Sequence, residues 1–117
     1  MNILAIDDET EVLECLKDIL TSDGHTVSVA HDVREGLELV TGNTDIIITD
    51  LRMQKLDGED YIEIIKVRYP NMPIIVLSGY IDSVEELEKI GAKKVLSKPL
   101  DVKQLLEAVN AFKNELK

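Results

Sequence analysis

Hydrophobic residues recur along this chain in two alternating patterns, short continuous runs and longer stretches with helical spacing. The short runs are rich in β-branched residues and span residues 3–6, 26–30, 46–49, 74–77 and 94–96. Runs of this kind predict β-strands, and the continuously apolar ones are typical of central parallel strands covered by helices on both faces. The runs ending near Ala30 and at residue 96 are weaker, which predicts positions nearer the edges of a sheet.

The stretches between these runs keep their apolar residues three or four positions apart, the spacing of an amphipathic helix. Two such sets are Val12, Cys15, Leu16, Ile19 and Leu20, and Leu105, Leu106, Val109, Phe112 and Leu116. Capping-box pairs that predict helix starts are Asp32 with Glu35, Asp82 with Glu85, and Asp101 with Gln104. The βα alternation, repeated five times, predicts an α/β fold with a parallel sheet. The 117 residues fit one compact domain, residues 1–117.

Composition narrows the possible partners. The net charge of −10 argues against electrostatic binding to nucleic acid or to an anionic membrane. The single cysteine, Cys15, cannot form an internal disulfide, and its apolar neighbours predict a buried small side chain. His25 and His31 flank the second strand and are predicted to be surface residues without a ligand role. No basic leader or long apolar stretch is present, so we expect a cytoplasmic protein.

Acidic residues and one lysine follow the apolar runs at their downstream ends. Asp7 and Asp8 follow the first run, Asp50 the third, Ser78 ends the fourth and Lys98 follows the fifth. Because the carboxyl ends of parallel strands lie on one edge of the sheet, these residues are expected to meet there. Taken singly, each could be a turn, capping or solvated residue. Together they predict one site.

Three carboxylates at one place repel each other, and a divalent cation would let all three stay ionised. Oxygen ligands favour Mg²⁺, which commonly shares its site with a phosphate, and Mn²⁺ is a possible substitute. Lys98 adds a positive charge for phosphoryl oxygens, and the Ser78 hydroxyl can donate to one of them. These groups suit phosphoryl transfer to a carboxylate nucleophile.

The sequence resembles a response-regulator receiver domain of two-component signalling systems, similar to the single-domain chemotaxis regulators, over its whole length. The matching segments are ILAIDDE at 3–9, DIIITDLRM at 45–53, DG at 57–58, VLSG at 76–79, and GA at 91–92 through Lys98-Pro99. The resemblance implies a flavodoxin-like, doubly wound (βα)5 fold with strand order 2-1-3-4-5 and helices on both faces.

The resemblance also implies the roles of the site residues. Asp50 would accept a phosphoryl group from a sensor histidine kinase or a phosphotransfer protein. Mg²⁺ would be bound by Asp8, Asp50 and the backbone carbonyl of Arg52, with Asp7 acting through water. Lys98 would pair with the phosphoryl group, and the Lys98-Pro99 peptide bond is expected to be cis.

The switch residues depart from the family pattern. Many receivers carry an aromatic residue three positions before the lysine, where this chain has Val95, whose side chain has one stiff torsion. Tyr80, two residues after Ser78, is a possible substitute or an ordinary loop tyrosine. Bulky Arg52 and Tyr80 would border the path of water to the phosphoryl group, which predicts slow autodephosphorylation.

The predicted function is a phosphorylation-dependent switch that changes protein contacts through its fourth helix, fifth strand and fifth helix. It would be no enzyme beyond accepting and slowly losing its own phosphoryl group. Its downstream protein is unknown, no output domain is expected in this chain, and it would be a monomer or a phosphorylation-dependent dimer. The alternatives are a phosphorylation-independent scaffold, a flavodoxin-like cofactor protein, which lacks a phosphate loop here, and a magnesium-dependent phosphatase.

Overall fold

The alternating pattern folds into a parallel sheet with helices on both faces. The computed structural model describes residues 1–51, 58–79 and 84–115. Within these ranges the elements are β1 (Asn2–Ile6), α1 (Thr10–Ser22), β2 (Thr26–Ala30), α2 (Val33–Leu39), β3 (Ile46–Thr49), α3 (Gly58–Arg68), β4 (Ile74–Ser78), α4 (Val84–Ile90), β5 (Lys94–Ser97) and α5 (Val102–Glu115). None of the helices in these ranges has the length and apolar character that a membrane span requires.

The strand order of the sheet is β2-β1-β3-β4-β5, and every neighbouring pair is parallel. The predicted fold class and strand order are therefore confirmed. The two weaker runs are the edge strands β2 and β5, because an edge strand has fewer neighbours and needs fewer apolar side chains. All four residues of β3 and all five of β4 are buried, as their continuous apolar runs indicate.

Successive strand residues point to opposite faces of the sheet and so divide the core into two clusters. On one face, Leu4, Ile6 and Ile47 pack with residues of α2, α3 and α4, among them Tyr61 and Leu87. On the other face, odd-numbered residues of β1 and even-numbered residues of β3 pack against α1 and α5. The sheet is thus packed on both faces, and this packing positions the strand ends.

Helix α1 buries a stripe consisting of Leu13, Leu16 and Leu20. Cys15 is exposed, so its predicted burial is wrong. Successive helical residues are about 100° apart, so Cys15 lies one full helical step away from Leu16, the nearest residue of this stripe. The predicted caps at Asp32 and Asp101 are confirmed, because their side chains accept the N–H groups of residues three positions on. Asp82 and Leu116 lie outside the described residues.

The two histidines behave differently. His31 is exposed, as predicted, and its Nδ1 lies 3.3 Å from Oε1 of Glu35. His25 is buried, so its predicted surface position is wrong. Its Nδ1 lies 3.1 Å from the Met1 amino group and its Nε2 3.4 Å from Asp23 Oδ2. The tight turn after α1, with Gly24 at φ +91°, folds the imidazole inward against the start of β1.

Candidate phosphoryl-acceptor site

The register of the sheet sets the acidic residues of β1 and β3 side by side. Ile6 pairs with Thr49, and the residues that directly follow them are Asp7 and Asp50. The backbone N–H of Asp50 donates to the carbonyl of Ile6 at 3.0 Å, which continues the ladder by one step. Both carboxylates are buried although they lie at the sheet edge. Their positions are therefore set by the backbone of the sheet.

Lys98 reaches the same edge from β5. Ser97 pairs with Ser78 at the ends of β5 and β4, and the N–H of Lys98 donates to the carbonyl of Ser78 at 2.9 Å. The Lys98-Pro99 peptide bond is cis, as the family resemblance implies. Ser78 itself is buried. The backbone of Lys98 is thus hydrogen-bonded directly to Ser78, the residue predicted to donate its hydroxyl to a phosphoryl oxygen.

The ammonium group of Lys98 binds three carboxylates. Its Nζ atom lies 2.9 Å from Oδ2 of Asp7, 3.1 Å from Oδ2 of Asp50 and 3.1 Å from Oε1 of Glu9. The Lys98 side chain is 16% exposed, those of Asp7 and Asp50 are 2% and 7% exposed, and that of Glu9 is 61% exposed. Two of the ion pairs are therefore largely shielded from water, where charge interactions are strongest.

Backbone N–H groups hold the remaining oxygens of the buried acids. Oδ1 of Asp50 accepts the N–H of Leu51 at 2.7 Å, and Oδ1 of Asp7 accepts the N–H of Glu9 at 2.9 Å. Each acid is therefore held through both oxygens, one by the backbone and one by Lys98. This double anchoring orients the carboxylate of Asp50 at the edge of the sheet.

Burial and charge act in opposite directions in this cluster. Burial raises the pKa of Asp7, and the charge of Asp50 raises it further, although hydrogen bonds from Lys98 and Glu9 partly offset both effects. Burial alone would lower the pKa of Lys98, but its hydrogen bonds to Asp7, Asp50 and Glu9 raise it above its ordinary value. Lys98 therefore stays charged.

The donor set fits a hard divalent cation. One carboxylate oxygen from each of Asp7, Asp8, Glu9 and Asp50 lies within 4.8 Å of the others, with Asp7 and Asp50 buried and Asp8 and Glu9 exposed. Oxygen-only ligands with open, solvent-facing positions suit Mg²⁺, which keeps several of its waters. The residues that would hold it are Asp7, Asp8 and Asp50, which the sequence predicts at the ends of β1 and β3.

The structure brings together Asp7, Asp8, Asp50 and Lys98. The backbone carbonyl of Ser78 accepts a hydrogen bond from the Lys98 N–H. Val95 is half-buried and packs against the core cluster of α2, α3 and α4, with Val76 as its strand partner. Arg52, with its backbone carbonyl, and Tyr80 lie outside the described residues. The roles of all these residues remain predictions.

Sequence reasoning missed Glu9 as a member of the site. Glu9 precedes α1 at its N-cap position, where an acidic residue is ordinarily explained by the helix dipole. Its side chain makes no capping hydrogen bond and reaches Lys98 instead. The available signal was its position directly after Asp7 and Asp8, together with the low N-cap preference of glutamate relative to aspartate or serine.

Comparison with known proteins identifies the family of this chain. The family model of the response regulator receiver domain matches residues 3–110, and the chain belongs to this family. The transcriptional regulatory protein CpxR of Escherichia coli K12 is 32% identical over 113 residues, which are 94% of this chain and 48% of CpxR. The response regulator MprA of Mycobacterium ulcerans is 34% identical over 116 residues, which are 96% of this chain and 50% of MprA. The chain spans about half the length of these relatives.

Solved structures show the same architecture. A response regulator receiver domain protein from Clostridium thermocellum superposes with a TM-score of 0.91 at 38% identity, covering 97% of this chain and 94% of the other. The response regulator TrrA of Thermotoga maritima, solved in complex with Mg²⁺-BeF, has a TM-score of 0.87 at 28% identity, covering 95% and 97%. The fold is thus that of a receiver domain.

Proposed function

We propose that this chain is a phosphorylation-dependent signalling switch in which Asp50 accepts a phosphoryl group with the help of Mg²⁺. The observation that carries the proposal is the environment of Asp50. Its buried carboxylate is held between the Leu51 N–H and the Lys98 ammonium, beside Asp7 and Asp8. A metal-binding role alone would not require the lysine, whereas stabilisation of a phosphoryl group would.

The donor would be a phosphohistidine on a sensor histidine kinase or a phosphotransfer protein. A carboxylate oxygen of Asp50 attacks phosphorus, the P–N bond breaks, and its electron pair returns to the imidazole nitrogen, which takes up a proton. The product is an aspartyl phosphate. Bound Mg²⁺ would neutralise charge on the phosphoryl oxygens. Lys98 would bind another of these oxygens, and the backbone ladder from Ile6 keeps Asp50 in place.

The signal would pass from the phosphoryl group to the surface formed by α4, β5 and α5. The Ser78 hydroxyl and the Lys98 ammonium would both bind the phosphoryl group, and β5 carries Lys98 at its end. Only such differential contacts can shift a pre-existing conformational equilibrium. Residue 95 is a valine that packs against the core, so this position has no aromatic ring that could rotate.

The chain would not turn over separate substrates, because its nucleophile becomes the phosphorylated product and is released only by slow hydrolysis. Its partners would be a kinase or phosphotransfer protein and an unidentified downstream protein, in the cytoplasm. A dimer induced by phosphorylation is one form the output could take. A colourless purified protein and no turnover on small phosphate esters would distinguish it from a flavodoxin-like protein and from a phosphatase.

The test is the intact mass of the protein after incubation with acetyl phosphate and Mg²⁺. We expect one added phosphoryl group in the wild-type chain, none in Asp50→Asn and none with a chelator. Asp18→Asn is the matched control, because Asp18 is an exposed aspartate on α1 outside the site. An adduct retained in Asp50→Asn would refute the nucleophile. A folded wild-type chain that accepts no phosphoryl group from acetyl phosphate or from any kinase would favour the scaffold function.

A further inference from the structure

We propose that Glu9 is a counter-charge that holds Lys98 in the unphosphorylated protein and is displaced when a phosphoryl group arrives. The inference rests on the proposed function, since it concerns how Asp50 gains its phosphoryl group. It is carried by the contact between Glu9 Oε1 and Lys98 Nζ at 3.1 Å, a pairing of residues 89 positions apart in the sequence. In this view Glu9 slows phosphoryl acceptance.

The backbone of Glu9 is fixed while its side chain is directed at the site. Its N–H donates to Oδ1 of Asp7 at 2.9 Å, and its carbonyl accepts the N–H of Leu13 at 3.2 Å in the first turn of α1. The side chain occupies the N-cap position without capping the helix. A residue that only started the helix would satisfy a free N–H group there. The glutamate side chain instead gives Lys98 a third anion.

The number of donors on Lys98 makes this third anion consequential. An ammonium group has three N–H donors. Among the described residues, three carboxylate oxygens, from Asp7, Glu9 and Asp50, lie within hydrogen-bond distance of Nζ. A phosphoryl oxygen can therefore bind Lys98 only when one carboxylate leaves. In the contacts seen here, carboxylates occupy all the donors of the Lys98 ammonium group.

Glu9 is the carboxylate that leaves most readily. Its side chain is 61% exposed, whereas those of Asp7 and Asp50 are 2% and 7% exposed. Water can replace the hydrogen bond from Lys98 to Glu9, but it cannot reach the two buried acids as easily. Asp50 is also held by Leu51 and Asp7 by the Glu9 backbone. Displacement of the Glu9 side chain leaves both of these anchors intact.

Glu9 is thus a positioning residue that acts through Lys98, without contact to the reacting atoms. Removal of its charge should free one lysine donor before the phosphodonor binds. Because exposed ion pairs are weak, we expect the second-order rate constant for acceptance from acetyl phosphate to rise about two- to fivefold in Glu9→Gln. The Mg²⁺ concentration for half-maximal rate should stay unchanged, since the lysine contact and not metal ligation is altered.

Two further variants distinguish the effect of the Glu9–Lys98 contact from the effect of net charge. Glu9→Asp keeps the charge but is one methylene shorter, so it loses the contact and should also accept the phosphoryl group faster. Glu14→Gln removes the same charge from an exposed position on α1 outside the site and should react at the wild-type rate. Intact-mass time courses at fixed saturating Mg²⁺ give all of these rate constants.

An unchanged or slower rate in Glu9→Gln, with normal phosphorylation of the wild type, would overturn this inference and leave the proposed function standing. A raised Mg²⁺ requirement would overturn it as well, because Glu9 would then be a metal ligand. Equal acceleration in Glu14→Gln, or acceleration in Glu9→Gln without acceleration in Glu9→Asp, would reduce the effect to net charge and also overturn it. No adduct in any variant or in the wild type would contradict the proposed function, and the inference with it.

Discussion

The Nζ atom of Lys98 lies 3.1 Å from Oδ2 of Asp50, although strand β4 separates the two strands that carry these residues. The contact forms because both side chains extend beyond the carboxyl ends of their strands. The lysine side chain therefore spans the end of β4, where Ser78 is its backbone partner. The three residues assigned to the phosphoryl group thus come from three adjacent strands.

Removal of the Lys98 charge should destabilise the metal-free protein. In Lys98→Met, the buried Asp7 and Asp50 lose their shared cation, and an uncompensated buried charge costs about 3 kcal/mol. We expect a fall of that order in the free energy of unfolding at neutral pH, measured by urea denaturation in the presence of a chelator. Added Mg²⁺ should reduce the difference from wild type. Lys94→Met, at an exposed position on the same strand, is the control, and an equal loss there would contradict this reasoning.

Removal of the Asp7 charge should have the opposite effect. Asp7 is buried beside Asp50, and both burial and this neighbour disfavour its ionised form. Asp7→Asn keeps the shape, and Lys98 retains Asp50 and Glu9 as partners. We expect the metal-free variant to be more stable by about 1 kcal/mol, or roughly 4 °C in the melting temperature.

The same variant should bind Mg²⁺ more weakly, because it has lost one of the site's acids. Asp8→Asn provides the comparison, since Asp8 is exposed and its neutralisation relieves no burial. Asp8→Asn should therefore weaken Mg²⁺ binding about tenfold or more without stabilising the metal-free protein. Calorimetric titration and thermal melts measure the two quantities, and stabilisation by both variants alike would show that burial is not the cause.

The raised pKa of Asp7 also predicts a pH dependence. Between its ordinary value of 3.8 and the raised value in the folded protein, folded chains hold a proton that unfolded chains have lost. The Asp7 contribution to the free energy of unfolding therefore falls as pH rises through this window and is constant above it. The stability advantage of Asp7→Asn should be absent below pH 3.8 and grow to its full size above the folded-state pKa. Urea denaturation at stepped pH with a chelator measures this advantage, and one that is independent of pH would exclude titration of Asp7 as its source.

The fold could be predicted from the sequence because the central strands leave little ambiguity. The run Ile46, Ile47 and Ile48 is apolar on both faces, which only a doubly covered parallel strand accommodates. A carboxylate directly after such a run must lie at the carboxyl edge of the sheet. The convergence of Asp7 and Asp50 follows from these two facts alone.

The errors in the sequence predictions concern side chains whose surroundings depend on packing between elements. Cys15 has apolar neighbours in sequence but lies one helical step, about 100°, away from the nearest residue of the buried stripe of α1. His25 is buried because the turn after α1 brings it against Met1. Whether the Glu9 side chain caps α1 or binds Lys98 depends on where the end of β5 places the lysine. Periodicity along one segment contains none of this information.

A last prediction concerns the close approach of α2 to the sheet at Gly36. A Cβ atom at this position would lie 2.7 Å from Cδ1 of Ile6 and 3.1 Å from Cε1 of Tyr61, and the Tyr61 hydroxyl donates to the Gly36 carbonyl at 3.1 Å. Alanine ordinarily stabilises a helix by about 1 kcal/mol relative to glycine. Here Ile6 and Tyr61 are buried, and overpacking of about 1–3 kcal/mol should outweigh that gain.

Gly36→Ala should therefore lower the free energy of unfolding by about 1 kcal/mol in urea denaturation. Gly42→Ala is the matched control, because a Cβ atom there meets nothing within 4 Å, and it should be neutral or slightly stabilising. Since Ile6 directly precedes Asp7 and its carbonyl accepts the Asp50 N–H, a displaced Ile6 should also slow phosphoryl acceptance. A Gly36→Ala protein with wild-type stability would mean that α2 can move away from the sheet, and an unchanged acceptance rate would then show that the site does not depend on this contact.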